Sequence, residues 1–158
     1  MTKSYSRLSR RSMLGIVATA SVAAAGWARA GERIPITVSR DPGCGCCGKW
    51  AAHLEAAGFA VTIVEPADMP GLKERLGVPA DLLACHTGEV AGYVIEGHVP
   101  ATAILRLLAS KPLATGLAVP GMPAGSPGMD GEAEIYEVVL FGPSARSVFG
   151  RFLGTSPA

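Results

Sequence analysis

The sequence predicts an α/β domain whose elements run β-α-β-α-β-β-α and close with a β-hairpin. Three observations predict it. Short runs rich in β-branched residues alternate with stretches of helical spacing, glycine and proline punctuate the boundaries, and a Cys-Gly-Cys-Cys cluster stands at the first strand-to-helix junction.

The elements follow in order. IPITVS (34–39) alternates apolar and polar residues and reads as a strand. DPGCGCC (41–47) follows as a turn loosened by Gly43, Gly45 and Gly48. KWAAHLEAAG (49–58) places Trp50, Leu54 and Ala57 on one helical face and stops at Gly58. FAVTIVE (59–65) is a second strand, and MPGLKERLG (69–77) a short helix with Pro70 in its first turn and Gly77 at its end. The segment 78–99 reads as two strands joined around Thr87-Gly88-Glu89, with Cys85-His86 at the end of the first of them. PATAILRLLAS (100–110) is the last helix. GLAVPGMPAGSPGMDG (116–131) is too dense in proline and glycine for regular structure. EIYEVVLFG (134–142) and RSVFGRF (146–152) then form the hairpin around Gly142-Pro143-Ser144.

This order, with cysteines at the first strand-to-helix junction, resembles the thioredoxin and glutaredoxin fold. In that fold a cis-proline stands beside the active site, and Pro79 is the residue in the corresponding place.

The chain has 158 residues, enough for one domain. Residues 1–30 read as a signal peptide: an arginine pair (Arg10, Arg11), an apolar run of small residues too short to span a bilayer, and an A-x-A exit at Ala28-Arg29-Ala30. The segment resembles a twin-arginine signal, with Met13 where Phe is more usual. Residues 31–158 are then the exported domain, destined for the periplasm and free of the membrane once the signal is cleaved. Five of the 14 basic residues and no acidic ones lie in residues 1–30, so the remainder carries nine bases against 13 acids. A net charge of about −4 without a basic patch argues against nucleic acid and anionic membrane as partners. All four cysteines fall in this part, in a compartment that permits disulfides.

Cys44-Gly45-Cys46-Cys47 admits three readings. Cys44 and Cys47 have the C-x-x-C spacing of a thiol-disulfide oxidoreductase, the first at a helix N-terminus that favours thiolate. Four cysteines also suit two structural disulfides. Clustered thiolates bind soft metal ions and can bridge several. Cys46 tips the balance toward metal, because a redox pair needs no third thiol inside it. Cys85-His86 adds a thiolate and an imidazole, provided the strand bends there, since adjacent strand residues point to opposite faces. Met122 and Met129, each after a glycine in the proline-stiffened loop, offer thioethers that select Cu(I). His98, just before the last helix, is a further ligand candidate. His53, Glu96 and Pro79 are candidates for supporting roles, His53 by orienting the cysteine turn.

CGCCGKW, ACHTGEVAGYVIEGHVP and GLAVPGMPAGSPGM, in that order, closely resemble the CopG-like periplasmic copper-resistance proteins, long catalogued as a domain of unknown function. The resemblance covers nearly all of residues 31–158. It implies a thioredoxin-like fold and copper held by Cys44, Cys46, Cys47, Cys85 and His86, with the methionine loop and His98 matching the family pattern. The implied role is copper resistance: holding Cu(I), with interconversion of Cu(I) and Cu(II) as an enzymatic extension, and exchange with other periplasmic copper-handling proteins. The alternative is a thiol-disulfide oxidoreductase using Cys44 and Cys47.

Overall fold

The computed structural model describes residues 33–143 and 145–158. The signal peptide read over residues 1–30, and Ser144 of the hairpin turn, lie outside the described residues.

Strand β1 (Ile34–Arg40) forms next to a parallel neighbour, β2 (Phe59–Val64), reached through helix α1 (Gly45–Ala56). Helix α2 (Met69–Arg75) follows, capped by the Asp68 carboxylate accepting from Gly71 N–H at 2.8 Å. After a 3₁₀ turn at Ala80–Leu82 come β3 (His86–Val90) and β4 (Tyr93–Glu96), an antiparallel pair, and helix α3 (Ala101–Ser110). The sheet continues through β5 (Gly116–Ala118), β6 (Ile135–Phe141), β7 (Arg146–Leu153) and β8 (Ser156–Pro157). One mixed sheet results, in the order β2-β1-β3-β4-β5-β6-β7-β8, with β3 antiparallel to both of its neighbours. Among the described residues, no helix is long and apolar enough to cross a membrane.

The larger of two apolar clusters among the described residues runs across the sheet, the smaller gathering Val78, Leu82, Val94, Ala118 and Phe141. Ile36 and Val38 of β1, Trp50 and Leu54 of α1, Ile95 of β4, Ile104 and Leu107 of α3, and Tyr136, Val138 and Phe152 of the terminal hairpin all belong to the larger. Burying side chains of this size stabilises each by roughly 1.5–3 kcal/mol.

The structure corrects the sequence reading in four places. First, α1 begins at Gly45, so Cys44 is its N-cap and Cys46 and Cys47 lie in its first turn; the glycines tolerate that turn rather than preventing it. Second, β3 does not turn at Thr87-Gly88-Glu89. Gly88 is needed because a Cβ there would stand 3.2 Å from Ile36 and from Trp50, and the turn falls at Ala91-Gly92, both at positive φ. Third, His86 therefore opens β3, with Cys85 immediately before it, instead of the dipeptide ending a strand. Fourth, the start of the Pro/Gly segment is regular: Gly116–Ala118 bridges β4 and β6. The Val78–Pro79 bond is trans.

Candidate metal centre

The meeting of α1 and β3 is set by pairing of β1 with β3, which puts Arg40 opposite His86 at the end of β1 from which the cysteine segment departs. Cys85, immediately before the strand, is not yet bound by strand alternation, so it and His86 both reach the α1 N-terminus. Cys44, Cys46, Cys47, Cys85 and His86 bring one donor atom each to within 4.8 Å of one another. Cys85 Sγ lies 3.1 Å from Cys44 Sγ and 3.5 Å from Cys46 Sγ, and Cys46 Sγ lies 3.5 Å from Cys44 Sγ. Cys44 and Cys47 are joined as a disulfide across the first helical turn, with their Cα atoms 5.7 Å apart, while Cys46 and Cys85 are free thiols. Cys47 is fully buried; the other three cysteines are part-exposed.

His86 is buried between Trp50, 4.5 Å away centroid to centroid, and His98, 5.1 Å away. Its Nε2 stands 3.1 Å from the Gly97 carbonyl, which only accepts, so the hydrogen belongs on Nε2. Nδ1 is then a bare lone pair, 3.4 Å from Cys47 Sγ and 3.6 Å from Cys85 Sγ. Burial, then the neighbouring His98 and Lys73, push the His86 pKa down to about 3, outweighing the Gly97 hydrogen bond. The imidazole is thus neutral and ligand-competent at any ordinary pH. Burial, reinforced by Cys46, raises the Cys85 thiol to about 11.

Behind this pair sits a buried ion pair. Glu96 Oε1 accepts from Lys73 Nζ at 2.5 Å and from Ala84 N–H at 2.6 Å, and Oε2 accepts from the Thr87 hydroxyl at 2.7 Å. Residues 84 and 87 bracket Cys85-His86, so one carboxylate fixes both ends of that dipeptide. Burial raises the Glu96 pKa against the opposing pull of Lys73, Thr87 and Ala84. Lys73 escapes the sequence reading because a lysine on a short helix ordinarily faces water; its burial depends on a partner 23 residues away.

The remaining candidates divide. His98 is fully buried and neither ring nitrogen makes a hydrogen bond of acceptable geometry, although the Pro127 carbonyl faces the ring. Leaving such a group unsatisfied costs about 1–3 kcal/mol. Met129 lines a cleft of about 330 Å³ with Cys46, Lys49, Gly128 and Asp130, and Lys49 ties the loop down to Asp130 at 2.6 Å. Met122 is 63% exposed. His53 does not orient the cysteine turn: its Nε2 accepts from Ala101 N–H at 3.0 Å, capping α3, which Pro100 leaves without a side-chain cap. Pro79 lines a separate shallow cavity with Gly77, Pro143 and Arg146. Trp50, whose Nε1 donates to the Val99 carbonyl at 2.9 Å, forms the floor under His86; the sequence places it only on one helical face with Leu54 and Ala57.

Residues 82–129, which span Cys85, His86, His98 and the methionine loop, match the family described as "Protein of unknown function, DUF411". No curated protein matches the chain significantly. Two solved structures are similar to it, both of a copper resistance protein CopG, in forms 1 and 2. Each is 47% identical over 77% of this chain; the match covers 98% and 99% of those chains, with TM-scores of 0.71 and 0.72.

Proposed function

The chain belongs to the CopG-like copper-resistance family, and from that premise we propose that it binds copper as Cu(I) through Cys44, Cys46, Cys47, Cys85 and His86. The observation that carries the proposal is the convergence of four sulfurs and one bare imidazole nitrogen within 4.8 Å. Soft thiolates suit Cu(I), and around a tetrahedral ion with metal–sulfur bonds of ~2.3 Å the sulfurs stand ~3.7 Å apart. The separations of 3.1–3.5 Å need only a small outward relaxation, once the Cys44–Cys47 bond is reduced, to accept such an ion. Four thiolates on so small a face outnumber the needs of one ion that also takes His86, which favours bridging sulfurs and more than one copper. His98 and Met129 are the neighbouring donors that extend the site.

Imidazole serves both oxidation states, so the same shell supports interconversion of Cu(I) and Cu(II) without release. The frame from β1 to α3 is taken as thioredoxin-like; the order β2-β1-β3-β4 with β3 antiparallel supports it. Export to the periplasm through the signal at residues 1–30 places the site where excess copper is met. Copper ions, and periplasmic proteins that deliver or receive them, are the partners.

Anaerobic titration of the reduced protein with Cu(I) against a competing chelator, with zinc as the control ion, tests the reading. Tight copper binding, lost when Cys44, Cys46 and Cys47 are changed to Ser, is expected. Binding no tighter than in that variant, or a preference for zinc, would sink it.

A second reading has its own observation: the disulfide at the helix N-terminus is the arrangement of a thiol-disulfide oxidoreductase. Insulin reduction that persists in Cys46→Ser and Cys85→Ser variants would favour it over copper binding.

A further inference from the structure

Cys85 is placed for a reaction that metal binding does not use. Its sulfur stands 3.1 Å from Cys44 Sγ, closer than even nonbonded carbon atoms rest, at ~3.5–4.0 Å. Cys44 is one half of the Cys44–Cys47 disulfide and its part-exposed end, whereas Cys47 is enclosed. We infer that Cys85 is a resolving thiol for this disulfide, so that the oxidised protein interconverts between a Cys44–Cys47 and a Cys44–Cys85 bond.

The step balances without an outside oxidant or reductant. A bond forms between Cys85 Sγ and Cys44 Sγ, the Cys44–Cys47 bond breaks, and its electron pair leaves on Cys47 Sγ. The proton given up by Cys85 is regained by Cys47. Cys85 is part-exposed and sheds its proton to water, and His86 Nδ1, 3.6 Å from Cys85 Sγ and 3.4 Å from Cys47 Sγ, lies between the two sulfurs and can accept a hydrogen bond from whichever of them is the thiol. The leaving sulfur is thus enclosed beside a nitrogen that accepts a hydrogen bond from its thiol form, while the new disulfide lies nearer solvent, within reach of an external dithiol. This gives Cys85 a role that a simple C-x-x-C exchanger lacks. One consequence rests on the copper reading: a Cys85 engaged in exchange is withdrawn from the metal, so disulfide and copper compete for the same sulfur.

The experiment uses chelator-treated, air-oxidised protein, quenched in acid, alkylated and digested with trypsin without reduction. Cleavage after Arg40, Lys49, Arg75 and Arg106 separates residues 41–49 from residues 76–106, so a covalent link between these two peptides reports a bond to Cys85. The wild type should yield both the linked pair and the internally bridged 41–49 peptide. Cys85→Ser should lose the linked pair entirely and Cys46→Ser should keep it. Cys47→Ser, which removes the leaving group, should convert to the linked form on mild oxidation, with circular dichroism verifying its fold. A wild type that gives only the internally bridged peptide overturns the inference, even if Cys47→Ser forms the link, because proximity without exchange is then all that remains. No copper is present, so failure here leaves the copper proposal standing, and a failed copper titration leaves the exchange intact.

Discussion

Glu96 makes no hydrogen bond to a sulfur, yet it accepts from the Ala84 backbone N–H and the Thr87 hydroxyl on either side of Cys85-His86, and from Lys73 Nζ. Glu96→Gln keeps the shape but strands the buried Lys73 ammonium, and breaking a buried pair from one side costs roughly 3–5 kcal/mol. Urea melts should show that loss, the double variant with Lys73→Met should recover much of it, and copper affinity in Glu96→Gln should fall about 10- to 100-fold. His86 supplies a pH signature of the metal-free fold. Its pKa is lowered from 6.5 to about 3, so the unfolded chain takes a proton that the folded chain refuses. Its contribution is therefore complete above pH 6.5, declines as pH falls from there toward about 3, and is constant below. The slope from this one group reaches at most about 1.4 kcal/mol per pH unit. Unfolding free energies measured across this range should flatten in His86→Gln; an unchanged slope would mean the ring is not held neutral. Cys85 titrates in the opposite sense to what a ligand needs. Held protonated up to about 11, it must shed its proton when it binds copper, so loading at pH 7 releases protons, measurable as a buffer-dependent heat.

At the scale of elements, the loop between β5 and β6 lies directly on the start of α1. A Cβ at Gly128 would stand 3.0 Å from the Cys46 carbonyl oxygen and 3.1 Å from Trp50 N, at a φ of +96°. Gly121, in the same loop at φ +72°, would meet nothing within 4 Å. The two glycines thus separate backbone strain from contact. Gly121→Ala should cost about 1 kcal/mol and leave copper affinity alone, while Gly128→Ala should cost about 1–3 kcal/mol and weaken binding by lifting Met129 from the cleft. Equal effects of the two on copper would refute a docked loop. Much of this arrangement is legible in sequence. The strands announce themselves by alternation and the helices by their spacing, and three thiols in four positions mark the site at sight. What stayed hidden depends on partners distant in the chain. Thr87-Gly88 looks like a turn until Ile36 and Trp50 press on it, and β5 becomes a strand only because β4 and β6 flank it. Likewise His53 finds its role only once α3 is packed beside α1, and Lys73 is buried only because Glu96 faces it.

Across the whole molecule, the eight-stranded sheet raises the question of whether the C-terminal hairpin is an appendage or part of the domain that holds the site. The strand order alone permits either answer, since β6, β7 and β8 lie beyond the β1–β4 half that carries the cysteines. The packing decides it. Tyr136, Val138 and Phe152 share one buried cluster with Trp50 and Ile95, and Phe152 is only 1% exposed. Trp50 in turn is the floor beneath His86 and, residues 1–30 apart, the chain's sole tryptophan, so its fluorescence reports on the site itself. Phe152→Ala, more than a hundred residues from Cys44, Cys46 and Cys47 in sequence, should then cost about 3–5 kcal/mol. Because hairpin and site share a core, that loss should appear as one shifted transition, with Trp50 fluorescence and far-ultraviolet circular dichroism of the reduced protein coinciding throughout a urea titration. An independent hairpin would instead melt first in the circular dichroism, leaving the fluorescence midpoint where it stands in the wild type. The coincident outcome carries a functional consequence: substitutions in the hairpin would lower copper retention under mild denaturant without altering a ligand, because the sulfurs stay together only while the shared core stays folded.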